Sequence, residues 1–236
     1  MITIRKAEDR GHFDHGWLYT FHTFSFGGYN DPAHMGFRAL RVINDDIVAP
    51  GRGFGAHGHR DMEIFTYVME GGLAHNDSTG EQHVLRPNEI QAMSAGNGVI
   101  HSEFNASKTE RVHLLQIWIL PAVDDVEPRY EQFAYEASEK KNRLRLLVGP
   151  DKHPSERAAF IHQDARAYAS VLEKGKTIEQ PVASGRHAWV QVAQGGIVLN
   201  GLALKEGDGA AVSEERALQI EGAAEKGGEF LLIDLA

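Results

Sequence analysis

The sequence reads Gly51-Arg52-Gly53-Phe54-Gly55-Ala56-His57-Gly58-His59 and then continues into the apolar run Ile64-Phe65-Thr66-Tyr67-Val68. A similar order recurs later, where Ala95-Gly96-Asn97-Gly98 leads to His101-Ser102-Glu103. Residues i and i+2 of a β-strand point to the same face. The two pairs therefore predict neighbouring strands that direct three imidazoles and one carboxylate into a single cavity.

Short apolar runs separated by turn-forming residues continue along the whole chain, which contains 25 glycines. Examples are Ala39 to Ile43, Leu114 to Leu120, Leu144 to Val148, Ala188 to Val192 and Phe230 to Ile233. Long helical periodicity is scarce, and the one short helix that the sequence predicts covers Pro154 to Phe160. Many short strands with frequent turns are typical of an all-β sandwich or barrel.

Two polar segments, Val123 to Pro128 and Glu136 to Asn142, indicate a surface connection in the middle of the chain. We therefore expect one domain over residues 1–130 and a second over residues 131–236. Gly71-Gly72-Leu73 in the first resembles Gly195-Gly196-Ile197 in the second, which indicates a duplication. Ten of the 13 histidines precede Trp118, so only the first copy is expected to keep the site.

Composition excludes several classes of function. The formal net charge of −9 disfavours direct binding of nucleic acid. The absence of cysteine excludes disulfides, thiolate catalysis and zinc or iron–sulfur sites built on cysteine. The N-terminus has no apolar signal core, and no segment reaches the length that spans a membrane. No membrane association is expected, and the cytoplasm is the expected location.

The candidate metal ligands are His57, His59, His101 and Glu103. Three neutral imidazoles and one carboxylate leave a divalent ion with net positive charge, so the ion stays Lewis acidic. Four ligands do not fill an octahedron, and one or two positions remain for water, substrate or dioxygen. Such a set suits Fe(II), Ni(II), Mn(II), Co(II) or Cu(II). A carboxylate that detaches from the ion would also serve as a general base.

Other polar residues near these motifs receive structural interpretations. Glu63 has the strand parity of the two histidines, and we expect it to orient a histidine rather than to bind metal. His113 is expected in the core or the cavity wall, and His75 and His83 are expected to face solvent. His22 is expected to pack among aromatic side chains. Three further histidines are expected to be structural or exposed: His153, His162 and His187.

Several motifs resemble the cupin superfamily and, within it, the pirin family. Gly51, His57-x-His59 and Glu63 are similar to the first cupin motif, and Pro87 with His101-x-x-x-Asn105 is similar to the second. Further stretches, concentrated in about the first 130 residues, resemble pirins: Gly16-Trp17, His22 to Phe26, Tyr29 to Pro32, Met35-Gly36, Leu40 to Asp46, His59 to Ile64 and Ser94 to Glu103.

The resemblance implies a bicupin, in which two antiparallel β-barrels lie face to face and only the N-terminal one binds metal. It implies His57, His59, His101 and Glu103 as ligands of one divalent ion per chain. Fe(II) is the expected metal, with Ni, Co, Mn, Cu or Zn as alternatives. Two positions depart from the family pattern: Gly58 replaces a proline, and Asn88-Glu89 replaces the glycine expected after the turn proline.

Three functions remain open. The first, which the resemblance implies, is a quercetin 2,3-dioxygenase-type enzyme that opens a flavonol ring with O2 and releases carbon monoxide. In it, Glu103 takes the proton of the 3-hydroxyl group or stays a ligand, and aromatic residues from Tyr19 to Phe26 shape the mouth. The second is a redox-sensing regulatory protein that acts through a protein partner. The third is a zinc hydrolase or lyase, although a fourth ligand would fill the position that its chemistry needs.

Overall fold

A computed structural model describes residues 1–77, 82–151 and 157–236 of the protein. Residues 154–156 of the predicted helix, together with His153 and part of the turn after His75, lie outside these residues. Ala159–Phe160, the end of that predicted helix, is a strand. Strands dominate the described chain, which confirms the predicted all-β class. Two short 3₁₀ helices, Ala7–Asp9 and Ala137–Glu139, are the only helical elements described, and no helix there is long and apolar enough to cross a membrane.

The strands are numbered in chain order. The first twelve are β1 (Ile2–Arg5), β2 (Gly11–Asp14), β3 (Leu18–His22), β4 (Leu40–Val48), β5 (Gly53–His59), β6 (Glu63–Glu70), β7 (Leu73–Asp77), β8 (Gln82–Leu85), β9 (Glu89–Ser94), β10 (Val99–Asn105), β11 (Val112–Ile119) and β12 (Arg129–Ala134). The others are β13 (Arg145–Gly149), β14 (Ala159–Phe160), β15 (Ala165–Leu172), β16 (Thr177–Pro181), β17 (His187–Leu199), β18 (Leu202–Lys205), β19 (Gly209–Val212), β20 (Ala217–Gly222) and β21 (Gly228–Leu235).

The chain forms two compact units, and each contains a segment from the far side of the expected boundary. The N-terminal unit comprises residues 11–134 and 150–163, and the C-terminal unit comprises residues 1–10, 135–149 and 164–236. The expected ranges 1–130 and 131–236 placed residues 1–10, 131–134 and 150–163 in the opposite domains. Residues 1–10 belong to the C-terminal unit because β1 pairs with β19 along its whole length. The segment 150–163 belongs to the N-terminal unit, where the backbone N–H of Phe160 donates a hydrogen bond to the carboxylate of Glu131.

The N-terminal unit contains two antiparallel sheets. One has the order β12-β9-β6-β11-β4-β3-β2, and the other has the order β5-β10-β7-β8. Apolar side chains from both sheets form a shared core: Leu18, Val48, Val68, Leu73, Leu85, Val112 and Leu114. Strand β10 alternates between buried and accessible residues, so its buried positions point inward. His101, Glu103 and Asn105 occupy those inward positions.

The C-terminal unit is built around the long strand β17. Its first part pairs with β19 and β21, and its last part pairs with β18 and β20. Strand β15 continues the sheet beyond β21, and β16 pairs with β20. Thirteen buried apolar residues fill the interior, among them Val190, Leu199, Leu218, Ile220 and Phe230. Burial of this apolar interior stabilises the unit.

Candidate metal centre

Strands β5 and β10 bring the predicted histidine pairs together. The two strands are antiparallel neighbours, and His101 lies directly opposite His57. His59 lies opposite Val99, so its ring reaches the same space from the end of β5. The register shifts between His101 and Glu103, which is a bulge in the ladder. Bulges change the direction of the side chains that follow them.

Three ring nitrogens converge in this space. Nε2 of His101 lies 3.0 Å from Nε2 of His59 and 3.1 Å from Nε2 of His57. Two ligand atoms that bind an ion at right angles, each about 2.1 Å away, lie about 3.0 Å apart. One ring nitrogen carries either a proton or a lone pair, so His101 can satisfy only one of these two contacts by hydrogen bonding. The three residues therefore fit a shared cation.

Hydrogen bonds behind the rings prepare two of the nitrogens for a metal. Nδ1 of His57 lies 2.8 Å from the carbonyl oxygen of Gly55, which can only accept, so Nδ1 carries the proton and Nε2 keeps its lone pair. Nδ1 of His101 lies 2.5 Å from Nε2 of His75. When His101 presents its Nε2 lone pair, its Nδ1–H donates to His75. Outer partners of this kind fix the orientation of metal-binding imidazoles.

Burial keeps His59 neutral. Loss of solvation, with a smaller contribution from the charge of His57, lowers the pKa of His59 to about 4. A neutral imidazole is the form that binds metal. The edge-on ring of Trp118 packs against His59 with 4.9 Å between ring centroids. This contact restricts the ring of His59 to the orientation that faces the other two imidazoles.

Glu103 is buried beside the histidines, and it groups with His101 and His75 rather than with His57 and His59. Its carboxylate accepts hydrogen bonds from Nε2 of Gln116 at 3.1 and 3.4 Å. Burial raises the pKa of Glu103 to about 7, although the Gln116 hydrogen bond opposes the increase. The structure groups His57 with His59 and His101, and it groups Glu103 with His101 and His75. The four predicted ligands thus form two overlapping sets that share His101.

His75 does not face solvent, so that prediction was wrong. Its side chain is 2% exposed, because it points inward from β7 directly opposite Glu103 on β10. Its ring stacks on Tyr130, with 5.1 Å between centroids. His83 is half-buried and also stacks on Tyr130, with 5.9 Å between centroids. His75 is therefore part of the candidate centre, which the sequence interpretation missed.

The remaining polar residues take structural positions. Glu63 is buried, accepts a hydrogen bond from Ser94 at 2.7 Å and contacts Nδ1 of His162 at 3.1 Å. It therefore orients a histidine, as predicted, but that histidine is outside the metal cluster. His113 contacts Asp45 at 2.7 Å. His22 is buried and packs against Phe13 and Phe26, which matches its predicted packing role.

A cavity of about 560 Å³ opens beside the histidines within the N-terminal unit. Cavities of roughly 300–1,000 Å³ hold small organic ligands. Four large aromatic side chains and one leucine contribute to its walls: Trp17, Phe26, Phe54, Trp118 and Leu114. Of the aromatic segment that was expected at the mouth, Phe26 lines the cavity, whereas Phe24 is buried in the core.

Two polar residues of β4, Asn44 and Asp46, also line the cavity. They are 5% and 6% exposed, and the Oδ1 atom of each has no hydrogen-bond partner among the described residues. Burial raises the pKa of Asp46 to about 7. The sequence interpretation assigned no role to either residue. The cavity thus contains a second buried carboxylate in addition to Glu103.

Comparison with known proteins gives matches along the whole chain. A family model described as Pirin matches residues 3–119, and a model described as Quercetinase C-terminal cupin domain matches residues 146–235. Quercetin 2,3-dioxygenase of Escherichia coli K12 is 46% identical over 235 residues, which cover 100% of this chain and 99% of the relative. A putative quercetin 2,3-dioxygenase of Pseudomonas aeruginosa is 39% identical over 236 residues, covering both chains completely.

Solved structures agree with these matches. A bacterial pirin from Escherichia coli in complex with nickel(II) superposes with a TM-score of 0.92 at 45% identity, covering 100% of this chain and 99% of that chain. Quercetin 2,3-dioxygenase from Acinetobacter baumannii superposes with a TM-score of 0.77 at 21% identity, covering 98% and 85%, which shows a shared fold alone. The predicted resemblance is thereby confirmed, and the chain belongs to the pirin family of the cupin superfamily.

Proposed function

We propose that this protein is a metal-dependent dioxygenase that opens the ring of a flavonol with O2 and releases carbon monoxide. The observation that supports it best is the cluster of three Nε2 atoms beside the cavity, in which those of His57 and His59 lie within 3.1 Å of that of His101. The names of the E. coli and P. aeruginosa relatives support the same reaction class. The location in the cytoplasm stays a prediction.

The ligand set in this proposal is the Nε2 atoms of His57, His59 and His101 with the carboxylate of Glu103. A divalent ion bound there supplies Lewis acidity to a substrate oxygen. Fe(II) is the metal that we propose first, because three imidazoles and a carboxylate extend the ligand set of non-haem iron oxygenases. Nickel is the first alternative, because the E. coli pirin structure is a nickel(II) complex.

The cavity walls suit a planar aromatic substrate. Trp17 and Phe54 meet edge to face at 5.4 Å, and Phe26 and Trp118 do so at 5.2 Å. A flavonol between these rings would lose its contact with water and gain aromatic contacts. Two roles are open to Glu103 in this complex: it takes the proton of the substrate hydroxyl, or it stays a ligand while another group takes that proton.

The test uses quercetin as the probe and purified protein that has been stripped of metal and reloaded with one metal at a time. We expect oxygen-dependent loss of the flavonol absorbance, with carbon monoxide formed, only in reloaded samples. The stripped protein and an anaerobic sample of the reloaded protein are the matched controls. If no flavonol is consumed with Fe, Ni, Co, Mn or Cu, the enzyme proposal fails, and the regulatory hypothesis with a protein partner gains support.

A further inference from the structure

Asp46 and Glu103 are two buried carboxylates at one cavity, and they differ in their neighbours. Glu103 lies on β10 among the candidate ligands and is held by Gln116. Asp46 lies on β4, opposite Leu114 of β11, and belongs to neither group of candidate ligands among the described residues. Both line the cavity. A buried carboxylate oxygen without a partner is costly to maintain, which makes Asp46 a candidate for direct contact with a ligand.

A carboxylate that binds a cation is a poor base, because the positive charge stabilises its ionised form. In the proposed centre this applies to Glu103. Asp46 keeps its oxygens free of the ligand set, and a general base needs an oxygen that is free to receive the proton. The geometry therefore divides the two tasks between two carboxylates: one holds the ion, and the other faces the substrate.

On this basis, and resting on the proposed function, we infer that Asp46 takes the proton from the hydroxyl group of a polyphenolic substrate in the cavity. The O–H bond of the hydroxyl breaks, an O–H bond forms on the Asp46 carboxylate, and the substrate keeps the electron pair as a phenolate. No oxidant or reductant takes part in this step. Asn44, two residues earlier on the same face of β4, offers a polar contact to a second substrate oxygen.

Charge supports this assignment. The charges of a divalent cation, an ionised Glu103 and an ionised Asp46 sum to zero, and the three neutral imidazoles add no charge. After the transfer Asp46 is neutral and the substrate carries the negative charge, so the sum is again zero. Because net charge in a cavity of low polarity is costly, a transfer that leaves the sum unchanged is favoured.

The groups that face Asp46 determine the pH at which it takes a proton. Burial is the largest influence and raises the pKa of Asp46 to about 7, and the negative charges of Asp45 and Glu103 act in the same direction. The hydroxyl of Thr20 on β3 and the ring of His113 on β11 lower it. Without metal, burial thus places the pKa of Asp46 near neutral pH, and a divalent cation in the neighbouring centre would favour the ionised form, which is the form that accepts a proton.

The experiment compares wild type, Asp46→Asn and Asp45→Asn, each loaded with nickel(II) and mixed with quercetin without oxygen. Ionisation of a conjugated phenol shifts its absorption to longer wavelength, which reports the proton directly and needs no turnover. Asp45 is the matched control, because it is the adjacent residue on the opposite face of β4, paired with His113. Metal content and thermal unfolding are measured for each protein.

We expect wild type and Asp45→Asn to bind quercetin as the anion at pH 7. Asp46→Asn should keep its metal and bind quercetin in the protonated form, with kcat about 100-fold lower or more. Asp46→Glu, which keeps the carboxylate, should restore the anion spectrum and decides the matter if Asp46→Asn fails to fold.

An anion spectrum in Asp46→Asn, or a protonated ligand in Asp46→Glu, would overturn the assignment, and so would loss of metal in Asp46→Asn. Ionisation that depends on Asp46, with no consumption of quercetin in air by wild type loaded in turn with Fe, Ni, Co, Mn and Cu, would refute the dioxygenase function and leave the role of Asp46 intact. A wild type that binds no quercetin would refute both.

Discussion

The segments around Gly71 in the N-terminal unit and Gly195 in the C-terminal unit follow the same backbone path. Both glycines have positive φ, 80° and 71°. A Cβ atom at Gly71 would lie 2.5 Å from the carbonyl oxygen of Arg111, and one at Gly195 would lie 2.3 Å from that of Gly227. No side chain fits at such distances, so both positions require glycine. The shared requirement supports the predicted duplication.

Strand pairing extends the equivalence beyond the glycines. Leu73 pairs with Leu85 in the N-terminal unit, and Ile197 pairs with Leu204 in the C-terminal unit. Counting from these pairs gives the residues that correspond at the candidate centre. In the N-terminal and C-terminal units respectively, they are His75 and Leu199, Glu103 and Ile220, His101 and Leu218, and Asp46 and Ser170.

The comparison teaches that one backbone supports two kinds of interior. Leu199, Leu218 and Ile220 are fully buried and belong to a continuous apolar core. The equivalent positions in the N-terminal unit hold imidazoles and a carboxylate, which are costly to bury without strong partners. Because the same fold is stable with apolar residues there, the polar set is not needed for folding. We attribute this set of His75, His101 and Glu103 to function. Asp46 is a separate case, because its counterpart Ser170 is also polar and buried.

Among the predictions that test this comparison of the two interiors, the largest expected effect is a loss of bound metal. His101 is shared by both groups of candidate ligands, so His101→Ala should remove most of the bound metal while the protein stays folded. His187→Ala in the C-terminal unit should leave metal content unchanged, because His187 contacts Ser213 and joins no candidate metal group among the described residues. Elemental analysis and circular dichroism give the two readouts. Full metal occupancy in His101→Ala would refute the centre.

A smaller loss of metal affinity is expected when His75 is replaced by leucine, the residue type at the equivalent position Leu199 of the C-terminal unit. His75→Leu removes the partner of Nδ1 of His101 and leaves the candidate ligands in place. Loss of such outer hydrogen bonds typically weakens metal binding about 10- to 100-fold. His83→Leu is the matched control, because His83 also stacks on Tyr130 but pairs with His75 on the outer strand β8. Competition against a chelator measures both affinities, and equal values would remove His75 from the centre.

The sequence predicted the three-imidazole cluster because that cluster depends on local parity and one strand pairing. His57 and His59 are two residues apart on β5, and His101 follows a glycine-rich turn on the neighbouring strand. The apolar runs likewise predicted strands, and the runs in β6 and β17 are buried along most of their length. These features follow from short stretches of chain, which is why the sequence alone was sufficient.

His75 and Asp46 were missed because their environment depends on pairings that are distant in sequence. His75 lies beside a turn, which indicated solvent, but its inward direction follows from pairing with Glu103. Alternation along Leu40-Arg41-Val42-Ile43-Asn44-Asp45-Asp46 was the available signal for Asp46, which shares a face with Leu40 and Val42. The placement of β1 also required a distant partner, because its pairing residues start at Gly209.

The smallest effect that we expect is a pH dependence of stability in the metal-free protein. The pKa of Glu103 rises from 4.5 to about 7 on folding because of burial. Between these values the folded protein binds a proton that the unfolded chain releases, so the free energy of unfolding falls as pH rises from about 4.5 to 7. Asp46 adds to this fall, because burial raises its pKa from 3.8 to about 7. His59 opposes it, because burial lowers its pKa from 6.5 to about 4.

Glu103→Gln removes the contribution of Glu103 to this decrease in the free energy of unfolding. It also replaces an ionisable side chain by an uncharged one, as in the interior of the C-terminal unit. Urea unfolding at a series of pH values should show the stability of Glu103→Gln increasing relative to wild type from pH 4.5 to 7 and then levelling off. Glu179→Gln, at an exposed strand position of the C-terminal unit, should give a constant difference. A constant difference for Glu103→Gln as well would contradict a burial cost at this carboxylate.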